Sequence, residues 1–366
     1  MGPTSRSTMA GCPLEAWTGL TTLPAEACGV AGFDALYGAV PAPPDAVSFE
    51  RIATPEPGLE RIVIEVTVGG RHLRVDAGLW VPDGPGPFPL VAGLDFVGPL
   101  GIAATHAFPR DPGAVVQAPE VLGGHGRLEE FHRGATAYRW PVTMLCNRGH
   151  AVLVSCYGSW VPDSATQWHK SGARPLTGAT DAGAISLWAW AIMRLLDVAE
   201  RLPGIDPGRL AVAGHSRLGK AALWAAAQDS RIAAVWANAS GCCGAAPEAH
   251  GIGETRAQLV RRFPHWLRQG TQKTGDFPDQ QALLALCAQR RLYLSGAVGD
   301  LWADPVGSYL ALAMASGKDW PDVPTMWEQG GQIVRGLSGW HLRPGGHEML
   351  PHDWRCFLHF LDVSGY

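Results

Sequence analysis

The chain has 366 residues, 46% of them hydrophobic and 17% charged, with a formal net charge of -4. That balance supports a large buried core and excludes general disorder. The acidic sign argues against nucleic acid as a main partner, and no run approaches the roughly 18 uninterrupted apolar residues of a membrane span.

In chain order, residues 1–60 are rich in Pro, Gly and Ala and read as an irregular arm packed on one main domain, 61–366. Apolar runs at 61–68 and 73–81, separated by Gly69-Gly70, predict a hairpin. Leu90 to Leu94 follows as a short buried strand. Residues 98–140 have little periodicity and many Gly and Pro, so a long insertion loop is expected. A buried strand at 149–157 precedes a long helix over Ala182 to Arg201, whose Ile185, Trp188, Ile192, Leu195 and Leu196 share a face. Strands are expected at 209–213, 232–237, 292–295 and, more weakly, 339–342, and helices at 279–288, 306–316 and 351–362. Alternating strands and helices imply a mainly parallel sheet with helices on both faces, a three-layer α/β sandwich.

Eight Cys occur without any CxxC pair, so buried free thiols are expected and no metal or other cofactor. Fifteen Trp is a high count, read either as core packing or as a sugar-lining surface. The opening Met1 to Ser7 is not followed by an apolar run, from which a cytoplasmic chain is expected.

The chemistry is carried by Val212-Ala213-Gly214-His215-Ser216-Arg217-Leu218-Gly219-Lys220. An apolar strand enters a glycine-flanked serine and an Ala/Leu-rich helix leaves it. This is the layout of a nucleophile elbow, although it reads G-x-S-x-x-G where G-x-S-x-G is common. A serine hydroxyl needs a base, and the base needs an orienting acid; on such folds they follow in the order Ser, acid, His. Asp300, just past the strand at 292–295, is the expected acid, with Asp304 as the alternative. His347, in Gly345-Gly346-His347, is the expected base, ahead of His341, His352 and His359. Arg217 is placed to give a backbone N–H to an oxyanion hole, and its guanidinium either adds positive charge there or forms a structural ion pair. Lys220, one helical turn after Ser216, either reaches the substrate or is an exposed helix charge.

At these residues the chain resembles the glucuronoyl esterases, carbohydrate esterase family 15, and especially their bacterial branch. The resemblance runs from Leu36-Tyr37-Gly38 through Arg148-Gly149-His150, Trp188-Ala189-Trp190 and the serine motif. It continues in Asn238-Ala239-Ser240-Gly241, Gly253-Glu254-Thr255, Phe263-Pro264-His265-Trp266 and Asp300-Leu301-Trp302, and ends in Arg343-Pro344-Gly345-Gly346-His347 and Asp353-Trp354. It implies an α/β-hydrolase fold and cleavage of 4-O-methyl-glucuronate esters on xylan, without a metal. Ser216 would be the nucleophile, His347 the base and Arg217 the oxyanion helper, with Lys220 and Trp302 holding the sugar.

The departures are informative. Fungal members carry the acid where this chain has Ala239, which favours Asp300. Their disulfide falls at His215 and Glu348 and is therefore absent. The bacterial Arg pair is missing from Ala245 to His250. The fungal sugar-contacting Gln and Glu fall near Thr255 and Phe263, so Glu254 is the candidate substitute. Members of the family are usually secreted. Three readings stay open: a glucuronoyl esterase, an acetyl-xylan or general carboxylesterase, and a non-catalytic carbohydrate-binding homologue. The partner is an ester of a small molecule or oligosaccharide; the oligomeric state is not legible.

Overall fold

The computed structural model describes residues 29–117, 126–271, 277–317, 320 and 330–366. Ten strands form one sheet: β1 (Ala46–Ala53), β2 (Leu59–Val68), β3 (Arg71–Trp80), β4 (Phe88–Asp95), β5 (Ala151–Cys156), β6 (Ile205–His215), β7 (Ile232–Asn238), β8 (Arg291–Ala297), β9 (Gly331–Arg335) and β10 (Ser338–Arg343). Their spatial order is β1-β2-β3-β5-β4-β6-β7-β8-β10-β9. The strands from β5 across to β10 pair in parallel, and antiparallel strands close both edges.

The central strands are buried on both faces, and their side chains divide between two cores with period two. Leu90, Ala92, Leu153, Val212, Leu292 and Leu294 enter one core. Val91, Val152, Val154, Ala211, Ala213 and Tyr293 enter the other. The longer helices are α1 (Val30–Tyr37), α2 (Ala184–Ala199), α3 (Arg217–Gln228), α4 (Arg256–Arg262), α5 (Gln280–Cys287), α6 (Pro305–Ser316) and α7 (Pro351–Val363). The first core is covered by α1, α2, α3, α5 and α6, the second by α7. The three-layer α/β arrangement read from the sequence is thus the observed one.

Two local expectations need correction. The described part of the arm, 29–60, is not irregular. It holds α1, which buries Phe33, Leu36 and Tyr37, and β1, which pairs in full register with β2. The Pro-rich stretch between them hid a strand whose alternation (Val47, Phe49) is present but short. Within 98–140 the described residues carry short helical turns at Pro99–Ile102, Glu130–His132 and Ala137–Arg139, and a single bridge between Val115 and Arg127. Residues 1–28 and 118–125 of these two readings lie outside the described residues.

The tryptophans are mostly core. Trp140, Trp160, Trp188, Trp190, Trp224, Trp236, Trp340 and Trp354 are fully buried, whereas Trp302 is 47% exposed. No helix among the described residues is long and apolar enough to cross a membrane.

Candidate active site

β6 ends at His215 and α3 begins at Arg217, so Ser216 makes the turn by itself, at φ 57° and ψ -124°. A non-glycine residue rests there only when its surroundings enforce it. The enforcing contacts are close. A Cβ on Gly214 would lie 2.2 Å from the Leu218 carbonyl oxygen, and one on Gly219 3.1 Å from the Gly214 carbonyl oxygen. Strand and helix therefore touch through positions 214 and 219, which is why the second glycine falls one residue later than in the common motif. The Ser216 N–H donates to the Asn238 carbonyl on β7 at 2.8 Å.

Asp300 follows β8 and His347 lies between β10 and α7. His347 Nδ1 is 2.6 Å from Asp300 Oδ2. Asp300 is buried, whereas the His347 side chain is 34% exposed. Ser216 and His347 line one cavity of about 130 Å³. The loop that carries His347 is gripped from beneath. Arg343 donates to the carbonyls of Pro344, Gly346 and Glu348, and its Nε sits 2.9 Å from Asp353 Oδ1. Asp353 also accepts from His341 Nε2 at 2.8 Å and from the Leu350 N–H. Burial opposes ionisation of Asp353, but the His341 bond and the Arg343 charge prevail and hold its carboxyl below the usual range. His341 is thereby committed to the core, and His352 and His359 are exposed on α7, away from the cavity.

Asp304, the alternative acid, does not meet His347. Its Oδ2 is 2.6 Å from His250 Nδ1, and its Oδ1 accepts from the Gly307 N–H, so it caps α6.

Arg217 lines the cavity, and of the two readings of its guanidinium the structural ion pair is the one observed. Its Nη1 is 2.5 Å from Asp163 Oδ2, a structural ion pair, and its guanidinium carbon is 4.5 Å from the Trp266 ring centre. Asp163 is fully buried and also accepts from Tyr157 Oη, His265 Nε2 and Trp266 Nε1. Burial pushes its pKa up, but Arg217 and the His265 and Trp266 donors bring it below the ordinary carboxylate value. Lys220 is not an exposed helix charge. It is buried, lines the cavity, and its ammonium donates to the Ser240 carbonyl at 2.6 Å and to the Cys242 carbonyl.

Trp302 and Glu254 also line the cavity, tied together by a 3.0 Å bond from the Glu254 N–H to the Trp302 carbonyl. Phe263, Trp266 and Arg262 complete the wall and were given no role by the sequence. The Phe263 and Trp266 rings stack at 3.7 Å and 1°, with the Arg262 guanidinium 5.0 Å from Phe263 on one side and Arg217 over Trp266. Asp163 was missed altogether, since it lies in the loop Pro162-Asp163-Ser164 with no local signature. Among the described residues no group of three or more His, Cys, Asp or Glu could hold a metal ion.

A serine at a strand–helix turn, sharing a cavity with a histidine that is backed by a carboxylate, on a mainly parallel sheet, is the geometry of the α/β-hydrolase class. Comparison with known proteins narrows this. The family profile described as "Glucuronyl esterase, fungi" matches residues 175–320. Carbohydrate esterase MZ0003, from an unknown prokaryotic organism, is 35% identical over 255 residues, which are 64% of this chain and 58% of that protein. A 4-O-methyl-glucuronoyl methylesterase 1 of Sodiomyces alcalophilus is 46% identical over 168 residues, 42% of this chain and 32% of that one. The chain thus spans little more than half the length of the first relative and a third of the second. Among solved structures, a glucuronoyl esterase from Solibacter usitatus superposes with a TM-score of 0.78 at 28% identity, covering 96% of this chain and 94% of its own. A promiscuous CE15 esterase from a marine bacterial metagenome gives 0.77 at 28% identity, covering 96% and 93%. The chain is thus similar in sequence and in fold to the glucuronoyl esterases of carbohydrate esterase family 15.

Proposed function

We propose that the protein is a serine esterase that hydrolyses glucuronoyl esters through an acyl-enzyme. Ser216 Oγ attacks the ester carbonyl while His347 takes its proton. Asp300, on Nδ1, fixes the tautomer and steadies the imidazolium that forms. The oxyanion is met by backbone N–H groups of Arg217 and of the loop at 94–96, with the Arg217 guanidinium behind them. His347 then protonates the leaving alcohol, and water repeats the sequence to release the uronate.

The carrying observation is the pairing of Ser216, held at positive φ, with an Asp300-backed His347 across one cavity. The uronate as acyl part is supported by relatives named 4-O-methyl-glucuronoyl methylesterases. Glu254, Lys220 and Trp302 bind the sugar: a carboxylate, an ammonium and an exposed indole suit the hydroxyls and apolar face of a pyranose. Asp163 keeps the Arg217 guanidinium in place and offsets its charge, so Arg217 acts at a fixed distance and not as a mobile cation.

The test compares initial rates on methyl 4-O-methyl-glucuronate and on an acetylated xylo-oligosaccharide, for the wild type and Ser216→Ala. The reading requires the uronate ester to be preferred and Ser216→Ala to lose several orders of magnitude on it. Equal rates on both substrates would instead make the protein a general carboxylesterase, a breadth in keeping with the promiscuous CE15 esterase from the marine metagenome.

A further inference from the structure

Asn238 ends β7, and both its main chain and its side chain are in use. Its carbonyl accepts the Ser216 N–H at 2.8 Å. Its amide Nδ2 lies 2.8 Å from the Glu348 carbonyl and 2.9 Å from His215 Nδ1. Its Oδ1 accepts from Ser295 Oγ at 2.7 Å, and Ser295 Oγ in turn accepts from Trp236 Nε1 at 2.7 Å. Sheet register creates this convergence, because His215, Asn238 and Ser295 are paired across β6, β7 and β8.

The direction of every proton in the chain follows from its two ends. An indole N–H only donates, so the Ser295 hydroxyl must pass its own proton on to Asn238 Oδ1. A peptide carbonyl only accepts, so the amide nitrogen, not the oxygen, faces Glu348. That same NH2 group faces His215 Nδ1, which must therefore be bare. His215 is then the neutral Nε2–H tautomer. Burial, and the nearby charges of His347, Arg139, Arg343 and Arg217, likewise hold it well below the usual histidine range. The ring also meets the Asn238 amide and, at 6.2 Å, the Phe96 ring.

We infer that Asn238 is a positioning residue that joins the nucleophile turn to the base loop and keeps a neutral imidazole packed against the base. This rests on the reading of Ser216 and His347 as nucleophile and base. The three ties are complementary. The carbonyl fixes the nitrogen of residue 216, and the amide fixes the carbonyl of residue 348, next to His347. Through His215, whose ring centre lies 4.6 Å from that of His347, the same amide also fixes what the base faces. An imidazolium at 215 would oppose the imidazolium that forms at 347 during proton transfer, whereas a neutral ring does not.

The experiment uses the full chain with Asn238→Leu, which keeps the volume and removes donor and acceptor, and Ser295→Ala, which removes the donor to the amide oxygen together with the acceptor of the Trp236 N–H. Rates are measured from pH 5 to 9 on methyl 4-O-methyl-glucuronate. Imidazole nitrogen resonances of His215 are followed in parallel, and Ser216 labelling by a fluorophosphonate reports the nucleophile independently. For Asn238→Leu the expected result is a fall in kcat of about 10²-fold, the scale of a small misplacement of reacting groups, with KM within about twofold. The acid limb of its pH profile should move toward higher pH as His215 becomes able to take a proton. Ser295→Ala should show the same pattern at about tenfold, together with loss of the single Nε2–H signature of His215; it decides the matter if Asn238→Leu does not fold. Unchanged kcat and pH profile in a folded variant would overturn the inference. So would an Nδ1–H tautomer in the wild type. Absence of Ser216 labelling in the wild type would instead remove the underlying reading.

Discussion

Asp300–His347 and Asp353–His341 are the same chemical pair at nearly the same separation, 2.6 and 2.8 Å, yet their surroundings are opposite. In the second pair both side chains are 0% exposed, and both ring nitrogens are occupied: Nε2 by Asp353 and Nδ1 by Tyr293 Oη. In the first, the His347 side chain is 34% exposed, and among the described residues its Nε2 has no hydrogen-bond partner. The inner pair spends its bonds on holding Arg343, and Arg343 holds the loop on which the outer pair works. Two further pairs, His250–Asp304 and His265–Asp163, are likewise buried. On the proposed function, what separates the catalytic pair from the structural ones is exposure of the imidazole to the cavity beside Ser216, not residue type or distance.

Mutating each acid in turn sharpens or breaks this contrast. The largest effect is expected for Asp300→Asn, which should lower kcat by about 10⁴-fold on a glucuronoyl ester while leaving the melting temperature nearly unchanged. Asp353→Asn should do the reverse. Removing one partner from a buried ion pair costs about 3–5 kcal/mol, read as a large fall in melting temperature, with activity per folded molecule reduced far less than in Asp300→Asn. If Asp353→Asn proved stable but as inactive as Asp300→Asn, the contrast would be wrong. Asp304→Ala should remove an N-cap worth about 1 kcal/mol, and further stability with the His250 bond, but keep activity within about twofold. Full activity in Asp300→Ala, with loss in Asp304→Ala, would reassign the acid.

A smaller effect concerns pH. Burial lowers the pKa of both His215 and His341, so the unfolded chain takes up protons that the folded chain refuses. Stability should therefore fall as pH drops below the ordinary histidine value of about 6.5, which thermal melts at pH 7 and pH 5 would show. Asp163 and Asp353 are held below the ordinary carboxylate value, so their stabilising share is present above about pH 4 and is lost in stronger acid. Replacing His215 with Gln should make the first decline shallower, leaving the share of His341, and should not change the second.

Much of this was legible in the sequence, and the remainder was not for identifiable reasons. Central strands such as β4, β5 and β7 announce themselves as short apolar runs, and α2 by its periodicity. The edge strands β1 and β9 are half-polar and largely uncovered, so pattern alone does not separate them from loop. Ser216, Asp300 and His347 sit at glycine-marked turns in the expected chain order, and the structure brings Asp300 to His347 and both histidine and serine to one cavity. Asp163 stands 54 residues before its partner Arg217 in a loop with no motif, and only folding reveals that four donors converge on it. Asn238 was visible within a motif, but its use depends on strand register, which no local pattern fixes. Lys220 shows the limit of helical spacing: position predicted its face, but not that the loop after β7 would fold over it.

The left-handed backbone of Ser216 sets the protein's fitness for work against its durability. The turn holds its side chain in a conformation that suits glycine, so the reactive hydroxyl is kept at the expense of resilience. Ser216→Gly should accordingly give an inert protein that melts higher than its parent, by the equivalent of about 1 kcal/mol, and a lower melting point would show that the turn is at ease as it stands. Selection for heat tolerance alone would then erode this position first, and only selection for turnover would keep it.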